Sequence, residues 1–286
     1  MKKFCVTFDV DLTDYLSGNN SDEMDECFDT IKEKLSEYPE VKTTWFIRID
    51  KQIESIYGTG DYIFTRHREK LRWLTDNGHE LGWHYHGYKL EGGSWVQNVD
   101  EDEIAIELEK YAGVAIGYNL RISRMGWGFH TGKTLKRIYS LGFETDSSAI
   151  PRPVYSWEKN IRDWSITPNS PYYPGENDYR TEMGKKIGIL EVPINTAYLK
   201  LDTDTENVKR YINVGYKHKH FKKAIETLSH LPLIVSVTHP YELVVNEISH
   251  PLLSFDISEF GLNLQFLLES QFAFITMSNI NNENFN

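Results

Sequence analysis

Two aspartates alternate at the end of the first apolar stretch of the chain. In the segment CVTFDVD (5–11), the side chains of Thr7, Asp9 and Asp11 share one face of a predicted strand. Carboxylates this close repel each other unless a cation or a proton holds them. The pattern therefore indicates a metal site, or a general base beside a metal ligand. A pair of exposed aspartates at a loop edge is the alternative.

Two histidines alternate in the same way in the third apolar stretch. His84 and His86 lie on one strand face, which places two imidazoles around a single ion. Zinc held by Asp11, His84 and His86 would keep one position open for water. Such a site is catalytic, because structural zinc sites have four protein ligands. A lone H-x-H is more often a hydrogen-bonded or surface pair, but its coincidence with the two aspartates favours the metal.

Three further polar residues follow predicted strands. His239 comes directly after the apolar segment 233–238, and Pro240 fixes the turn that would present it for proton transfer. Arg124 and Asp146 end two other strands, where they could orient a carboxylate and tune a histidine. The structural alternatives are a salt bridge for Arg124 and a turn or cap for Asp146.

Alternating strands and helices must position these residues. Apolar runs predict strands at 3–11, 41–48, 79–86, 119–125, 142–148, 187–195, 232–238 and 271–276. Helical periodicity predicts helices at 22–38, 62–77, 101–112, 131–141, 218–230 and 256–269. This alternation predicts one α/β domain over 1–286 with a mainly parallel, barrel-like sheet. In such barrels, functional residues collect at the carboxyl ends of the strands.

Residues 149–186 are predicted to form a long functional loop, because five prolines exclude a helix there. Aromatic faces stack on sugars, so Trp164, Tyr172 and Tyr173 are candidate substrate contacts. Arginines of this loop could hold a carboxylate or phosphate. Alternatively, the loop packs its own aromatics as a lid on the barrel. Arg48, at the end of the second predicted strand, is a further candidate contact, or a partner of Asp50.

Composition excludes several function classes. The 286 residues include 31 Lys and Arg against 42 Asp and Glu, a net charge of −11, which disfavours nucleic acid and anionic membranes as partners. No apolar run reaches the roughly 18 to 20 residues of a membrane span. The apolar run 4–8 is too short for a signal peptide. The chain has two cysteines, too few for a disulfide framework, so we expect a cytoplasmic protein. The polar end, 279–286, is expected to fray.

Five segments together resemble the polysaccharide deacetylase family, with its NodB-homology, carbohydrate esterase family four-like domain. They are TFDVD (7–11), GHELGWH (78–84), Arg124, GFETDSS (142–148) and His239-Pro240, in the family's order over about residues 3 to 278. The resemblance implies a distorted (β/α)7 TIM-like barrel. It also implies a metal-dependent enzyme that removes N- or O-acetyl groups from sugars.

The resemblance also implies residue roles. Asp9 corresponds to the catalytic base, Asp11 to a metal ligand, His84 to the first histidine ligand, Arg124 to the arginine that orients the base, His239 to the general acid, and Asp146 to the acidic residue near that histidine. Tyr88 stands where the family has its second histidine ligand, and His86 is the local substitute. Arg124 is followed by Met-Gly-Trp instead of the proline and aromatic common in the family. Tyr88 and Trp127 are expected to contact substrate.

Three functions are compatible with these residues. The first is a zinc-dependent deacetylase in which Asp9 takes a proton from metal-activated water and His239 protonates the leaving amine. The second is a deformylase or another amide hydrolase of the same fold, because a fold does not determine the acyl group. The third is a sugar-binding barrel that has lost its metal. The cytoplasmic expectation favours a sugar or glycan precursor as substrate over an assembled wall polymer.

Overall fold

The computed structural model of the chain describes residues 1–11, 21–244, 250–253 and 256–280. The strands are β1 (Lys3–Val10), β2 (Thr43–Arg48), β3 (Glu80–Tyr85), β4 (Tyr88–Glu91), β5 (Ser94–Gln97), β6 (Ile122–Met125), β7 (Thr145–Asp146), β8 (Leu190–Glu191), β9 (Thr196–Leu199), β10 (Val208–Tyr211), β11 (Leu233–Thr238) and β12 (Ala273–Phe274). The helices are α1 (Ser21–Ser36), α2 (Lys51–Tyr57), α3 (Tyr62–Arg66), α4 (Arg68–Asp76), α5 (Glu101–Gly117), α6 (Gly132–Ser140), α7 (His218–Thr227), α8 (Tyr241–Val244), α9 (Ile257–Glu269) and α10 (Met277–Ile280). None of these described helices is long and apolar enough to cross a membrane.

The central sheet is parallel and curls into a half-barrel. Its strand order is β11-β1-β2-β3-β6-β7-β8, and β12 pairs with the start of β1. Asn195 and Ile212 bridge the two edge strands: the Asn195 N–H donates to the Val235 carbonyl at 3.0 Å, and the Ile212 N–H to the Asn195 carbonyl at 2.9 Å. The predicted class, a distorted (β/α)7 barrel, is confirmed.

The alternation of β1 divides its side chains between two layers. Val6, Phe8 and Val10 pack with the flanking helices, whereas Cys5 packs with Phe46 in a second cluster inside the curl. Both faces of a parallel sheet are covered in this way, so β1 is buried along most of its length. The period of two then places Thr7 and Asp9 on the inner face, above Cys5.

Each predicted strand contains an observed strand, but some helices and hairpins differ from the predictions. The single helix predicted over 62–77 is wrong. At His67 the backbone leaves the helical region (φ −109°, ψ 28°), and its Nδ1 lies 3.0 Å from Oδ1 of Asp25. Helix α2, the β4–β5 hairpin and the β9–β10 hairpin were not predicted. Asn279 and Ile280 belong to α10, whereas the rest of the end predicted to fray, 281–286, lies outside the described residues.

Residues 149–186, all of which the structure describes, form a long connection as predicted. A single 3-10 turn, Ser156–Glu158, lies within it. The Glu158 carboxylate is buried and accepts hydrogen bonds from the guanidinium groups of Arg152 and Arg162. Two arginines of this loop therefore hold a protein carboxylate.

Candidate active site

A cavity of about 460 Å³ lies at the carboxyl ends of the parallel strands. Its wall includes the predicted catalytic and metal-binding side chains Asp9, Asp11, His84, His86, Arg124 and His239. Strands that run parallel all end on one side of a sheet, so residues far apart in the chain meet there. The structure therefore brings these six residues into one pocket.

Asp9 is held by a buried arginine. Oδ1 of Asp9 accepts a hydrogen bond from Nη1 of Arg124 at 2.7 Å, and the same nitrogen donates to Oγ1 of Thr7 at 2.7 Å. Arg124 is fixed in turn by Ser147, whose carbonyl and Oγ accept from Nε at 2.7 Å and Nη2 at 2.8 Å. The guanidinium thereby fixes the orientation of the Asp9 carboxylate.

The charges around Asp9 keep it ionised. Burial raises the pKa of its carboxyl, but the positive charge of Arg124, with a smaller contribution from His239, outweighs burial and lowers that pKa below its ordinary value. Asp9 is therefore a carboxylate at neutral pH and can accept a proton.

Asp11, His84 and His86 direct their ligand atoms toward one point. Nε2 of His86 lies 3.0 Å from Nε2 of His84 and 3.1 Å from Oδ2 of Asp11, and the ligand atoms of the three residues all lie within 4.8 Å of one another. One carboxylate and two imidazoles form a donor set that zinc commonly takes in catalytic sites. The group fits a divalent metal ion.

The surroundings of His84 set the tautomer and the protonation state that a metal ligand needs. Its Nδ1 lies 3.0 Å from the backbone carbonyl of Arg124, so this nitrogen carries the proton and Nε2 presents its lone pair to the cavity. Burial lowers the pKa of the His84 imidazole to about 4. The ring is therefore neutral at pH 7, as metal ligation requires.

Arg48 orients Asp11 from behind. Its Nη1 donates to Oδ1 of Asp11 at 2.6 Å, and its Nε donates to Oδ2 of Asp50 at 2.5 Å. Burial raises the pKa of Asp11, but Arg48 and His86 outweigh it and hold that pKa well below the ordinary value. The structure places Arg48, predicted as a substrate contact, behind a metal-ligand candidate and outside the described cavity wall.

Tyr88 covers His86 on the cavity wall. Its ring stacks on the His86 ring at a centroid distance of 4.9 Å and an angle of 25°, and its Oη accepts a hydrogen bond from Nε1 of Trp127 at 2.7 Å. Trp127 is 42% exposed and also lines the cavity. The tyrosine at the family's second histidine position thus packs against the histidine that substitutes for it.

Gly126 makes the position of His86 possible. A Cβ atom at Gly126 would lie inside van der Waals contact distance of the His86 ring carbons. We expect Gly126→Ala to displace the ring and to weaken zinc binding by about 10- to 100-fold, the range for residues that orient metal ligands. Zinc titration of the metal-free protein measures this effect. Gly113→Ala is the matched control, because that glycine has no atom within 4 Å of its Cβ position. Equal affinity in both variants would remove His86 from the ligand set.

His239 is paired with a glutamate three residues later. Its backbone N–H donates to Oε2 of Glu242 at 2.8 Å, and its Nδ1 lies 3.4 Å from Oε1. Burial lowers the pKa of the His239 ring, but the charges of Glu242, Asp9 and Asp11 outweigh burial and raise it to about 9. The ring is therefore protonated at neutral pH, as a general acid must be.

Asp146 pairs with His130 in the structure. It is fully buried, accepts from Oγ of Ser123 at 2.7 Å and from the N–H of Ser148 at 3.1 Å, and faces Nε2 of His130 at 3.2 Å. The acidic neighbour of His239 in the structure is Glu242. The segment His239–Glu242 could have predicted this pair, since a turn followed by a helix brings positions i and i+3 together.

The aromatic residues predicted from the long loop take different places. Trp164 and Tyr172 are buried, and they donate hydrogen bonds to the carbonyls of Gly128 at 2.7 Å and Tyr179 at 2.9 Å. Tyr173 is exposed and, among the described residues, does not belong to the cavity wall. Arg162, one of the loop arginines expected to hold a carboxylate or phosphate, lies on the cavity wall. Cavity-lining residues that were not predicted are Met125, Gly128, Ser148, Ile150, Ile194, Tyr211, Val237 and Tyr241.

Comparison with known proteins shows the fold. No protein-family model matches the chain, and no curated protein matches it significantly. A solved structure from Mycobacterium smegmatis, assigned as a polysaccharide deacetylase, aligns with a TM-score of 0.55 and 18% identity over 98% of this chain and 89% of that one. The 4-alpha-glucanotransferase from Thermococcus litoralis aligns with a TM-score of 0.55 and 13% identity over 99% of this chain and 41% of that one. A family 4 carbohydrate esterase from Streptomyces lividans aligns with a TM-score of 0.42 and 7% identity over 96% of this chain and 91% of that one.

The first two structures share this chain's fold but carry different names, a deacetylase and a glycosyl transferase. A fold of this kind hosts several reactions, so the choice between them depends on the side chains of the site. At the level of the fold, the resemblance predicted from the sequence is confirmed: this chain has a curled parallel half-barrel and aligns over 98% of its length with a solved structure assigned as a polysaccharide deacetylase.

Proposed function

We propose that the protein is a zinc-dependent hydrolase that removes an acetyl group, N-linked in its natural substrate, from a sugar or glycan precursor. One observation carries the proposal. A metal-ligand set (Asp11, His84 and His86), an arginine-held carboxylate (Asp9) and a protonated histidine (His239) line the same cavity. These are the parts that metal-assisted amide hydrolysis needs.

The residues divide the reaction between them. Asp9, ionised and held by Arg124, takes a proton from the attacking water as its oxygen bonds to the acyl carbon. His239 gives its proton to the leaving nitrogen when the C–N bond breaks. Asp11, His84 and His86 would hold the zinc ion, which supplies Lewis-acid activation of water and of the acyl carbonyl.

The protonation states favour acyl hydrolysis over glycosyl transfer. Glycosidases commonly use one carboxylic acid with a raised pKa as the proton donor. Here the charges of Arg124 and Arg48 lower the pKa of Asp9 and Asp11 despite burial, so both are carboxylates at neutral pH. The protonated group in the cavity is a histidine, which suits an amine leaving group.

A sugar is the substrate class that the cavity suits. Its volume of about 460 Å³ falls within the roughly 300 to 1,000 Å³ of small-molecule sites. Trp127, at 42% exposure, offers an aromatic face at the wall, and Tyr88 lies beside it. Aromatic faces of this kind pack against the C–H faces of sugar rings.

Release of acetate from N-acetylated sugars tests the proposal. The zinc-loaded protein is incubated with matched N-acetyl and N-formyl amino sugars, and the free acid is measured. We expect acetate release that depends on zinc and on His239. Formate release alone would identify the alternative amide hydrolase. A protein that binds sugar but neither binds zinc nor releases acid would be the non-catalytic alternative.

A further inference from the structure

We propose that Glu242 and Asn213 act together as positioning residues that hold His239 charged and oriented toward the cavity. The inference rests on the proposed function, because it assigns how that site holds its proton donor. Asp146, the acidic residue expected near this histidine, pairs instead with His130.

The Glu242 carboxylate contacts both the backbone N–H and the ring of His239. The glutamate, 6% exposed, lies in α8 directly after the strand end that carries His239. Oε2 accepts the backbone N–H of His239 at 2.8 Å, and Oε1 lies 3.4 Å from Nδ1 of its ring. A carboxylate placed this way favours the tautomer with a proton on Nδ1 and leaves Nε2 for the cavity.

Asn213 fixes the carboxylate in turn. Its Nδ2 donates to Oε2 of Glu242 at 2.8 Å. Its Oδ1 accepts two other hydrogen bonds, from Oγ1 of Thr238 at 2.7 Å and from the N–H of Gly215 at 2.7 Å. The amide therefore cannot turn over without losing these bonds. Oε2 of Glu242 must accept from both Asn213 and the His239 backbone, which favours the ionised carboxylate.

Other charged groups near His239 are already neutralised by arginines. Asp9 of β1 and Asp11, which directly follows β1, act on the ring electrostatically, but they pair with Arg124 and Arg48. The ring of Tyr241 lies 5.4 Å from the His239 ring, between centroids. Among the described residues, Glu242 pairs instead with His239 and Asn213. The negative charge of Glu242 is therefore not offset, within the described part of the chain, by an arginine partner as those of Asp9 and Asp11 are, and it acts on His239 more strongly.

Nuclear magnetic resonance titration of the His239 ring in the zinc-free protein tests this role without any substrate. In the wild type the pKa is expected at about 9. In Glu242→Gln, which keeps the shape and removes the charge, we expect it at or below the ordinary value of about 6.5. Glu226→Gln, an exposed residue of α7, removes the same charge elsewhere and should leave the pKa at the wild-type value.

The pH dependence of kcat distinguishes this role from a structural one. A general acid must be protonated, so activity is lost as pH rises through its pKa. For pKa values of about 9 and about 6.5, the protonated fractions are nearly equal at pH 6 and differ about 30-fold at pH 8. We expect kcat of Glu242→Gln to be close to wild type at pH 6 and about 30-fold lower at pH 8. A deficit of the same size at both pH values would contradict the inference.

Each outcome separates the two proposals. An unchanged His239 pKa in Glu242→Gln overturns the positioning role, whatever the activity. Absence of deacetylase activity at every pH overturns the proposed function and leaves the titration result standing. If Glu242→Gln does not fold, as judged by circular dichroism, Glu242→Asp replaces it. That variant moves the carboxylate away by one methylene and should give a pKa below the wild-type value; an unchanged value overturns the inference.

Discussion

Replacing Asp9 with asparagine should lower kcat by about 10²- to 10⁴-fold, the usual range for a catalytic base. The asparagine retains an oxygen that can accept from Arg124, but it cannot take a proton from water. Steady-state kinetics on an N-acetylated sugar measure the loss. The zinc content of this variant should remain that of the wild type, because Asp9 is not part of the ligand set.

Asp11→Asn is the matched control, since it makes the same change at the aspartate two residues further along, directly after β1. Asp11 directs Oδ2 toward His86 and belongs to the ligand set. This variant should lose zinc and activity together. If Asp9→Asn lost zinc and Asp11→Asn kept it, the roles of the two aspartates would have to be exchanged.

Arg124→Met should lower the free energy of unfolding by about 3 to 5 kcal/mol, the cost of removing one partner of a buried ion pair. The substitution leaves the Asp9 carboxylate buried without its partner, and it also removes the donors to Thr7 and Ser147. Urea denaturation of the zinc-free protein, followed by circular dichroism, measures the change without a contribution from metal binding.

Arg137→Met provides the comparison for this stability effect. Arg137 pairs with Glu109 on the surface, with side chains 34% and 65% exposed, so its loss should cost less than about 1 kcal/mol. Equal destabilisation in the two variants would mean that the Asp9–Arg124 pair contributes no more than a surface pair.

The fold could be predicted to a large extent because its signals are local. Apolar runs marked each strand of the central sheet, and their alternation with helices indicated parallel pairing. The break at His67 could not be predicted, because it depends on the contact with Asp25, a residue 42 positions away. The β4–β5 hairpin had a local signal in the Gly92-Gly93 pair, because both residues have the positive φ angles that tight hairpin turns require.

Strand periodicity predicted which side chains of the site meet in the cavity. It did not predict which of them form ion pairs and hydrogen bonds with each other. Period two placed Asp9 with Asp11 and His84 with His86 on common faces, and all four line the cavity. The choice between Asp146 and Glu242 as the partner of His239 depends on a helix start and on Asn213, which lies between β10 and α7. Contacts of this kind depend on side-chain packing across the fold, which periodicity does not report.

The roles of the aromatic residues in the loop 149–186 could not be predicted from the sequence either. Its aromatic content suggested sugar contacts, but burial assigns Trp164 and Tyr172 to the packing of the loop. Sequence composition does not separate aromatic residues that bind a ligand from those that form a core. Trp127, predicted as a substrate contact, both lines the cavity and remains 42% exposed.

Elemental analysis of the purified protein tests the central claim, that the strand ends assemble a metal site. The wild type and His84→Ala are dialysed against zinc, then against zinc-free buffer, and their metal content is measured. We expect one zinc ion per chain in the wild type and loss of most of it in His84→Ala, since one of three ligands is removed. A wild type that retains no zinc, or a variant that retains as much as the wild type, would contradict the claim.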